Sequence, residues 1–308
     1  MPSNENTTKI RYDFVKNRKL FYTISLAITI IGLVMLLVSG MNYGVDFSSG
    51  TSMDISVGKT LTKEQAEKTL MDAGIEKAVV TVGGENSDRV SVRISDTLSE
   101  DAVKKVKDTF STAFGPQVSQ EVNAVTPDMA IEQRNKAILA IGIASIAICI
   151  YVSIRFEWRF AIASIIAILH DAFVVIAFFA IFRFEVNLPF MAAVLTTIGY
   201  SINDKIVIFD RVRENLRFAK LKSSEDLAKL LNDSIWQTMA RNINTVITVL
   251  IAAVCLLIFG SESIKLFALA KLVGLTSGAY SSICIAGPLW YYFKNKSLSS
   301  SKKAKAVA

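Results

Sequence analysis

Three ionisable residues stand out as candidates within long apolar stretches of this 308-residue sequence. Asp171 follows His170 in one stretch, and Asp204 lies in the run LTTIGYSINDKIVIFDRVREN. Arg241 lies in a third stretch, within TMARNINTVIT. An ionisable group well inside a membrane span costs about 2.5–3.5 kcal/mol on insertion scales, so it needs a partner or a function. A carboxylate and a guanidinium at the same depth can neutralise each other, and protonation of the carboxylate breaks that pair.

The elements that must position these residues are six apolar stretches, each about as long as a membrane-spanning helix. They run over approximately 20–41, 137–154, 160–182, 188–209, 236–260 and 265–290. The chain is 52% hydrophobic and 20% charged, with a mean hydropathy of +0.42, which is more apolar than a typical soluble domain. The first stretch exceeds a signal-peptide core and no A-x-A site follows it, so we expect it to be retained.

The short flanks of these stretches differ in their Lys and Arg content. One set of flanks carries 18 such residues and the other carries at most four. The positive-inside rule then places the tails 1–19 and 294–308 in the cytoplasm and residues 42–133 outside. The outer segment has 9 basic and 15 acidic residues, so the net charge of +7 arises from the cytoplasmic flanks. The basic character therefore reports membrane orientation, and no nucleic-acid partner is needed to explain it.

The depths of Asp204 and Arg241 follow from this topology. The fourth span runs inward, so Asp204 lies about 7.5 Å before its cytoplasmic end. Arg241 lies about five residues into the fifth span, at a similar depth. We therefore predict an ion pair between them that proton binding can break. The alternative is a fixed pair that only aligns helices. For His170 and Asp171, hydrogen bonds that hold neighbouring helices together are an equally good interpretation.

Residues 42–133 have the pattern of a small water-soluble domain. Alternating and helical stretches predict the order β-α-β-β-α-β, which is typical of a ferredoxin-like sandwich. The predicted elements are Thr51–Val57, Thr62–Ala73, Ala78–Gly83, Arg89–Ser95, Ser99–Phe114 and Ser119–Thr126. The segment shows no nucleophile, metal cluster or phosphate loop, which favours binding or mechanical coupling over catalysis. The fold class is thus an all-α six-helix membrane bundle with one α+β extracytoplasmic domain.

Two further patterns are structural. Gly274 and Gly278 form a GxxxG motif followed by two serines, which predicts a close helix contact. The stretch 210–234 contains a possible capping box from Ser223 to Asp226 and predicts a short amphipathic helix on the cytoplasmic membrane surface. The three cysteines lie in apolar runs without a CxxC pair, so we expect no disulfide, metal site or cofactor.

Several motifs resemble the SecF family. The run TTIGYSINDKIVIFDRVREN is similar to the fourth-span signature of that family, and His170-Asp171 is similar to its third-span H-D pair. GVDFSSGT (44–51) resembles the segment after the first span, and FALAKLVGLTSGAYSSICIAGPL (267–289) resembles the last span. Two positions depart from the family pattern. Lys205 replaces a small polar residue and is free to reach the cytoplasmic surface or face a partner, and Ser49 replaces a glycine.

The resemblance implies a membrane subunit without enzymatic activity that works with SecD beside the SecYEG channel on translocating preproteins. It also implies that Asp204 and Arg241 lie on a proton or sodium pathway at the interface with SecD. Tyr200, Asn203 and the His170-Asp171 pair are candidate supporting residues. The family is related to resistance-nodulation-division exporters, which run on proton import.

Two competing functions remain. A half-size exporter of lipid or small molecules would use the same superfamily architecture, although such proteins usually carry two six-span halves and this chain carries one. An intramembrane aspartyl protease needs two aspartates, and Asp171 and Asp204 are two. However, Asp204 follows Ser-Ile-Asn, whereas those proteases carry G-x-G-D.

Overall fold

The computed structural model describes residues 12–84, 86–221 and 223–307, without the side chains of residues 262, 263 and 298–307. Most of the predicted N-terminal tail, Lys222 and the tail side chains from residue 298 onward therefore lie outside the described residues. The described elements follow in the order α1 (Arg18–Ser39), β1 (Asn42–Tyr43), α2 (Val45–Ser48), β2 (Gly50–Ser56), α3 (Lys63–Asp72), β3 (Val79–Gly83), β4 (Arg89–Ile94), α4 (Glu100–Phe114), β5 (Ser119–Val125), α5 (Pro127–Arg155), α6 (Trp158–Ile181), β6 (Glu185–Val186), α7 (Leu188–Phe218), α8 (Ser224–Phe259), α9 (Glu262–Ser281), a π-helical turn (Ser282–Ala286) and α10 (Gly287–Val307).

Six helices in the described part of the chain are long and apolar enough to cross a membrane, as predicted. They are α1, α5, α6, α7, α8 and the run Ile264–Ser297, which joins α9 to α10 through the π-helical turn. In α6, α7 and this last run, 44–61% of the most apolar window is buried, against 6–17% in α1, α5 and α8. The helices α6 and α7 and the run Ile264–Ser297 therefore form the inside of the bundle. Trp290 stacks on Phe160 in their shared core, with ring centroids 4.9 Å apart.

The predicted surface helix over 210–234 is wrong. Residues 210–218 continue α7, and residues 224–234 are the first turns of α8. The predicted capping box is present, with Ser223 and Asp226 bonded reciprocally, but it begins a helix of 36 residues. Leu227 and Leu231 are fully buried in the bundle core, because α8 packs on the last span where Gly287 leaves room for Leu231. These leucines therefore hold helices together.

The predicted outer domain contains a four-stranded antiparallel sheet with strand order β3-β4-β2-β5. Its elements have the predicted order, with bounds shifted by a few residues. Alternate strand residues such as Met53, Ile55 and Val92 are buried under α3 and α4, against Leu70 and Phe110. The domain therefore has a hydrophobic core of its own. Residues 127–133, which we assigned to this domain, are the first turns of α5.

The face of the sheet that points away from α3 and α4 lies against the end of the bundle where α7 begins. Asp46, in α2, accepts hydrogen bonds from Asn123 Nδ2 of β5 at 2.7 Å and from the backbone N–H of Leu188 at 2.8 Å. Arg93 of β4 pairs with Glu185 at 2.6 Å, and β1 pairs in parallel with β6. Burial raises the pKa of Glu185, because the attraction of Arg93 offsets it only in part. Polar contacts thus join the sheet to the first turn of α7.

The departure at Ser49 has a conformational consequence. Its φ is +68°, in the left-handed region that glycine adopts without strain. With a ψ of 163°, this is a conformation that essentially only glycine adopts freely, and a non-glycine residue there costs of order 1–3 kcal/mol. The neighbouring Gly50 also has a positive φ, and a Cβ there would overlap the carbonyl of Ile94. The turn between α2 and β2 is therefore tight against the end of β4.

Candidate functional site: a buried ion pair in the helix bundle

The site lies where α7 and α9 approach closely. Thr197, Ser201 and Lys205 are spaced by four residues, so they share one face of α7. Gly274 and Gly278 face them from α9: a Cβ at Gly274 would overlap the Thr197 side chain, and one at Gly278 would lie 3.5 Å from Ser201 Cβ. The close contact predicted from the GxxxG motif is therefore present, and a row of polar side chains runs along it.

Asp171 of α6 lies opposite this row and is fully buried. Its Oδ2 accepts hydrogen bonds from Ser201 Oγ at 2.5 Å and Ser281 Oγ at 2.6 Å. Its Oδ1 accepts one from Ser277 Oγ at 2.8 Å and lies 3.3 Å from His170 Nδ1. Three helices thus supply partners for both oxygens, which is the condition for keeping a buried carboxylate charged.

Lys205 provides the balancing charge. Its side chain is completely buried, and its Nζ donates to Asp171 Oδ2 at 3.0 Å. Ser201 Oγ lies 2.6 Å and Ser201 O 3.3 Å from the same Nζ. Two hydroxyls of the last span complete the shell, Ser281 Oγ at 3.0 Å and Ser282 Oγ at 3.3 Å. Of the two alternatives for Lys205, the one that takes it to the cytoplasmic surface is wrong, because five oxygens, one of them from Asp171, surround its ammonium inside the bundle.

The π-helical turn at Ser282–Ala286 adjoins this shell. A π-turn adds a residue to the helical repeat and often marks functional sites. Here Ser281 ends α9 and Ser282 begins the turn, and both hydroxyls lie within hydrogen-bonding distance of Lys205. Ser282 Oγ also donates to the carbonyl of Gly278 at 2.7 Å. Two adjacent serines at the start of the turn thus contact the same ammonium.

Asp204 is buried next to this pair but outside it. It lines a narrow crevice between α7, α8 and α9 with Tyr200, Thr245 and Gly278. In the part of the chain that the structure describes, no ion pair joins Asp204 to Arg241, so the predicted pairing is not formed in this state. The similar depth predicted for Asp204 and Arg241 did not determine the direction in which each side chain points from its helix axis.

The rotation of α8 explains the position of Arg241. Thr238, Asn242 and Val246 are buried and share one face of α8, whereas Arg241 is exposed one residue away from that face. Its guanidinium therefore lies on the outside of the bundle. The role of Arg241 in ion coupling, like that of Asp204, stays a prediction.

The supporting residues divide into two groups. His170 and Asp171 belong to the ion-pair cluster. Asn203 is exposed on α7, and Tyr200 is 42% exposed with the Lys271 ammonium 4.4 Å from its ring centroid.

Sequence reasoning missed Lys205 as a site residue. The four-residue spacing of Thr197, Ser201 and Lys205, read against Ser277 and Ser281 on the last span, was the available signal.

The described residues contain no group of three or more His, Cys, Asp or Glu side chains that could hold a metal ion. The chemistry available at the site is charge neutralisation and proton or cation exchange at buried carboxylates. Together with the six membrane-length helices, it defines a multi-pass membrane protein with polar groups held inside its bundle.

Comparison with known protein families identifies the family within this class to which the chain belongs. Residues 103–296 match the family described as "Protein export membrane protein SecD/SecF, C-terminal", and residues 34–60 match the SecD/SecF GG motif. The chain therefore belongs to the SecD/SecF family of protein translocase subunits.

Individual relatives agree with this membership. The chain is similar to protein translocase subunit SecF of Alicyclobacillus acidocaldarius, with 40% identity over 97% of this chain and 98% of the relative. It is 44% identical to protein translocase subunit SecDF of Bacillus subtilis over 94% of its length, which is 39% of that protein. A crystal structure of SecDF from Thermus thermophilus, described as a translocon-associated membrane protein, aligns with a TM-score of 0.79 at 31% identity, covering 92% of this chain and 39% of that one.

Proposed function

We propose that this chain acts with SecD as a SecF-type subunit that uses the proton or sodium motive force to promote late preprotein translocation through SecYEG. One observation carries the proposal. Asp204 is buried in a crevice between α7, α8 and α9, directly after Lys205 of the buried Asp171–Lys205 pair. Charges held inside a bundle at this cost are usually part of an ion or proton pathway.

Coupling to the outer domain would run through α7. This helix carries Asp204 and Lys205, and its first backbone N–H is held by Asp46, which also binds Asn123 in the sheet. Movement of α7 on protonation of Asp204 would therefore move the base of the outer domain. One proton crossing an assumed potential of about 150 mV releases roughly 3.5 kcal/mol, whereas a swing from 1:99 to 99:1 needs about 5.5 kcal/mol. About two protons would complete the switch.

The exposed position of Arg241 supports a role at an interface with SecD. Its side chain is exposed on α8, one helical turn before Thr245, which lines the crevice that contains Asp204. A charged group facing lipid is costly, so a partner helix that covers this face would stabilise it. A carboxylate on that helix, or a rotation of α8 towards Asp204, would complete the ion path.

Two finer structural features belong to the proposal. The outer domain is a ferredoxin-like sandwich, supported by its β-α-β-β-α-β order and by the strand order of its antiparallel sheet. Both termini are cytoplasmic and the sheet domain is extracytoplasmic, supported by the 18 basic residues in one set of flanks against at most four in the other.

The test is Asp204→Asn in cells or vesicles that score potential-dependent export. We expect normal assembly with SecD and loss of the potential-dependent component, because the amide cannot take up a proton. The matched control is Asp210→Asn on the same helix, where the carboxylate is partly exposed and pairs with Arg155 and Arg213. Wild-type export rates in an assembled Asp204→Asn variant would refute the proposal. Loss of lipid or drug efflux with intact protein export would instead support the exporter function.

A further inference from the structure

The shell around the Lys205 ammonium has the composition of a cation site. It consists of one carboxylate oxygen, one backbone carbonyl and three hydroxyl oxygens, from Asp171, Ser201, Ser281 and Ser282. Oxygen ligands of these types are the ones that hard metal cations take in proteins. An ammonium has three protons to donate, so five surrounding oxygens exceed what it can bond individually. A spherical charge at the same point uses all five.

The charge and burial of this shell define the ion. Asp171 is the one carboxylate in it, so a monovalent cation balances the shell whereas a divalent ion leaves excess charge. Asp171, Ser201, Lys205, Ser281 and Ser282 are each at most 3% exposed, so water does not compensate the carboxylate. The second carboxylate oxygen is already bonded to Ser277 and His170. Removal of the ammonium would leave a dry, pre-formed oxygen shell with one negative charge.

We infer that Lys205 fills a monovalent-cation site with its own ammonium, and that sodium binds there when the lysine is shortened. The lysine is thus a tethered counter-ion that keeps alkali cations out of the core. If the proposed function holds, ion coupling in this chain uses Asp204 and bypasses the shell. The binding test below measures the shell alone, on the full chain without SecD or preprotein, so it fails or succeeds independently of the export assay.

The experiment compares thermal unfolding of the purified full chain, Lys205→Ala and Lys205→Ala/Asp171→Asn in detergent. Each is titrated with sodium chloride against choline chloride at equal ionic strength, because choline is too large for the shell. We expect sodium to raise the midpoint temperature of Lys205→Ala by roughly 3 °C or more at 300 mM relative to choline, with saturation. The wild type and the double variant should show no difference between the salts, since the first has its own cation and the second has no charge to balance.

Each alternative result bears on the inference. Equal midpoints for Lys205→Ala in sodium and choline would overturn it, as would a sodium effect that persists in the double variant. If Lys205→Ala does not fold in 300 mM sodium while the double variant folds, sodium does not compensate Asp171 and the inference is equally wrong. A preference for one of lithium, sodium and potassium over the others in the same titration would support a shell of fixed size.

Discussion

At the scale of single residues, the core of this protein contains an ion pair whose two partners the sequence alone does not identify. Lys205 follows Asp204 directly, which suggests that the two charges interact, yet adjacent helical positions point about 100° apart. The structure pairs Lys205 with Asp171 on another helix at 3.0 Å and leaves Asp204 facing the crevice. The neighbouring charges on α7 therefore have different surroundings: Lys205 is held in the ion pair, and Asp204 faces the crevice.

The Asp171–Lys205 pair predicts a strong non-additivity in stability. Asp171→Asn alone leaves an unpaired buried ammonium and should cost about 3–5 kcal/mol, as should Lys205→Met alone through the unpaired carboxylate. The double variant Asp171→Asn/Lys205→Met should lie much closer to the wild type, because it buries no charge at either position. Denaturant unfolding of all four proteins gives the coupling energy. A double variant at least as unstable as the sum of the single variants would contradict the pair.

At the scale of helices, the contact between α7 and α9 depends on small residues. Gly274→Ala should destabilise the bundle by about 1–3 kcal/mol, because the new Cβ overlaps the Thr197 side chain where both helices are packed. Gly142→Ala on α5 is the matched control. A Cβ there meets nothing within 4 Å, so the substitution should be neutral or stabilise by up to about 1 kcal/mol. Similar unfolding curves for both variants would exclude the close contact.

The first turn of α7 is the second helical feature with a measurable role. Asp46→Ala should remove the acceptor for the Leu188 N–H, speed hydrogen exchange at the start of α7 and reduce export. Thr62→Ala is the control, because Thr62 caps α3 within the outer domain and does not contact the bundle. Both variants should lose about 1 kcal/mol of stability, but only Asp46→Ala should uncouple the domain. Equal export from the two variants would speak against coupling through α7.

The existence of the helices was predictable, whereas their rotation and full length were not. Twenty apolar residues need a helix in a membrane, so hydropathy located all six spans. Hydropathy does not show how far a helix extends beyond the apolar stretch. The helix α8 begins directly after Ser223, well before its apolar stretch, and no glycine or proline interrupts it up to Gly260. Arg241 shows the other limit. Arg241 is exposed although the adjacent Asn242 is buried, and only the tertiary packing of α8 decides which of the two side chains points into the bundle.

At the scale of the whole molecule, the outer domain and the bundle have separate hydrophobic cores joined by polar contacts. Arg93–Glu185 and the hydrogen bonds of Asp46 form this junction, and the exposed face of the sheet contributes Ser52, Asp54 and Glu121 to the cleft beside it. Polar junctions of this kind permit relative domain motion more readily than apolar ones. The junction is therefore where a movement of the bundle would reach the domain.

This junction predicts a pH dependence. Because burial raises the pKa of Glu185 in the folded state, the folded protein binds that proton more tightly than the unfolded chain. Stability from this group is therefore present at low pH and is lost as pH rises from about 4.3, the ordinary value for glutamate, through the raised folded value. Glu185→Gln should abolish that loss in thermal unfolding between pH 4 and 8. Glu67→Gln, at an exposed pair with Lys63, should leave the wild-type profile intact. A Glu185→Gln profile that matches the wild type would contradict this assignment.

The length of α7 has a mechanical consequence. The helix has 31 residues, about 46 Å, and Asp204 lies roughly 24 Å from its first residue, Leu188, and 21 Å from its last, Phe218. Asp204 is therefore close to the midpoint of the helix. A tilt of about 10° at that point would carry the two ends about 4 Å in opposite directions. Proton binding to Asp204, as proposed above, would then shift both ends of α7, Leu188 in one direction and Phe218, where the chain turns towards α8, in the other.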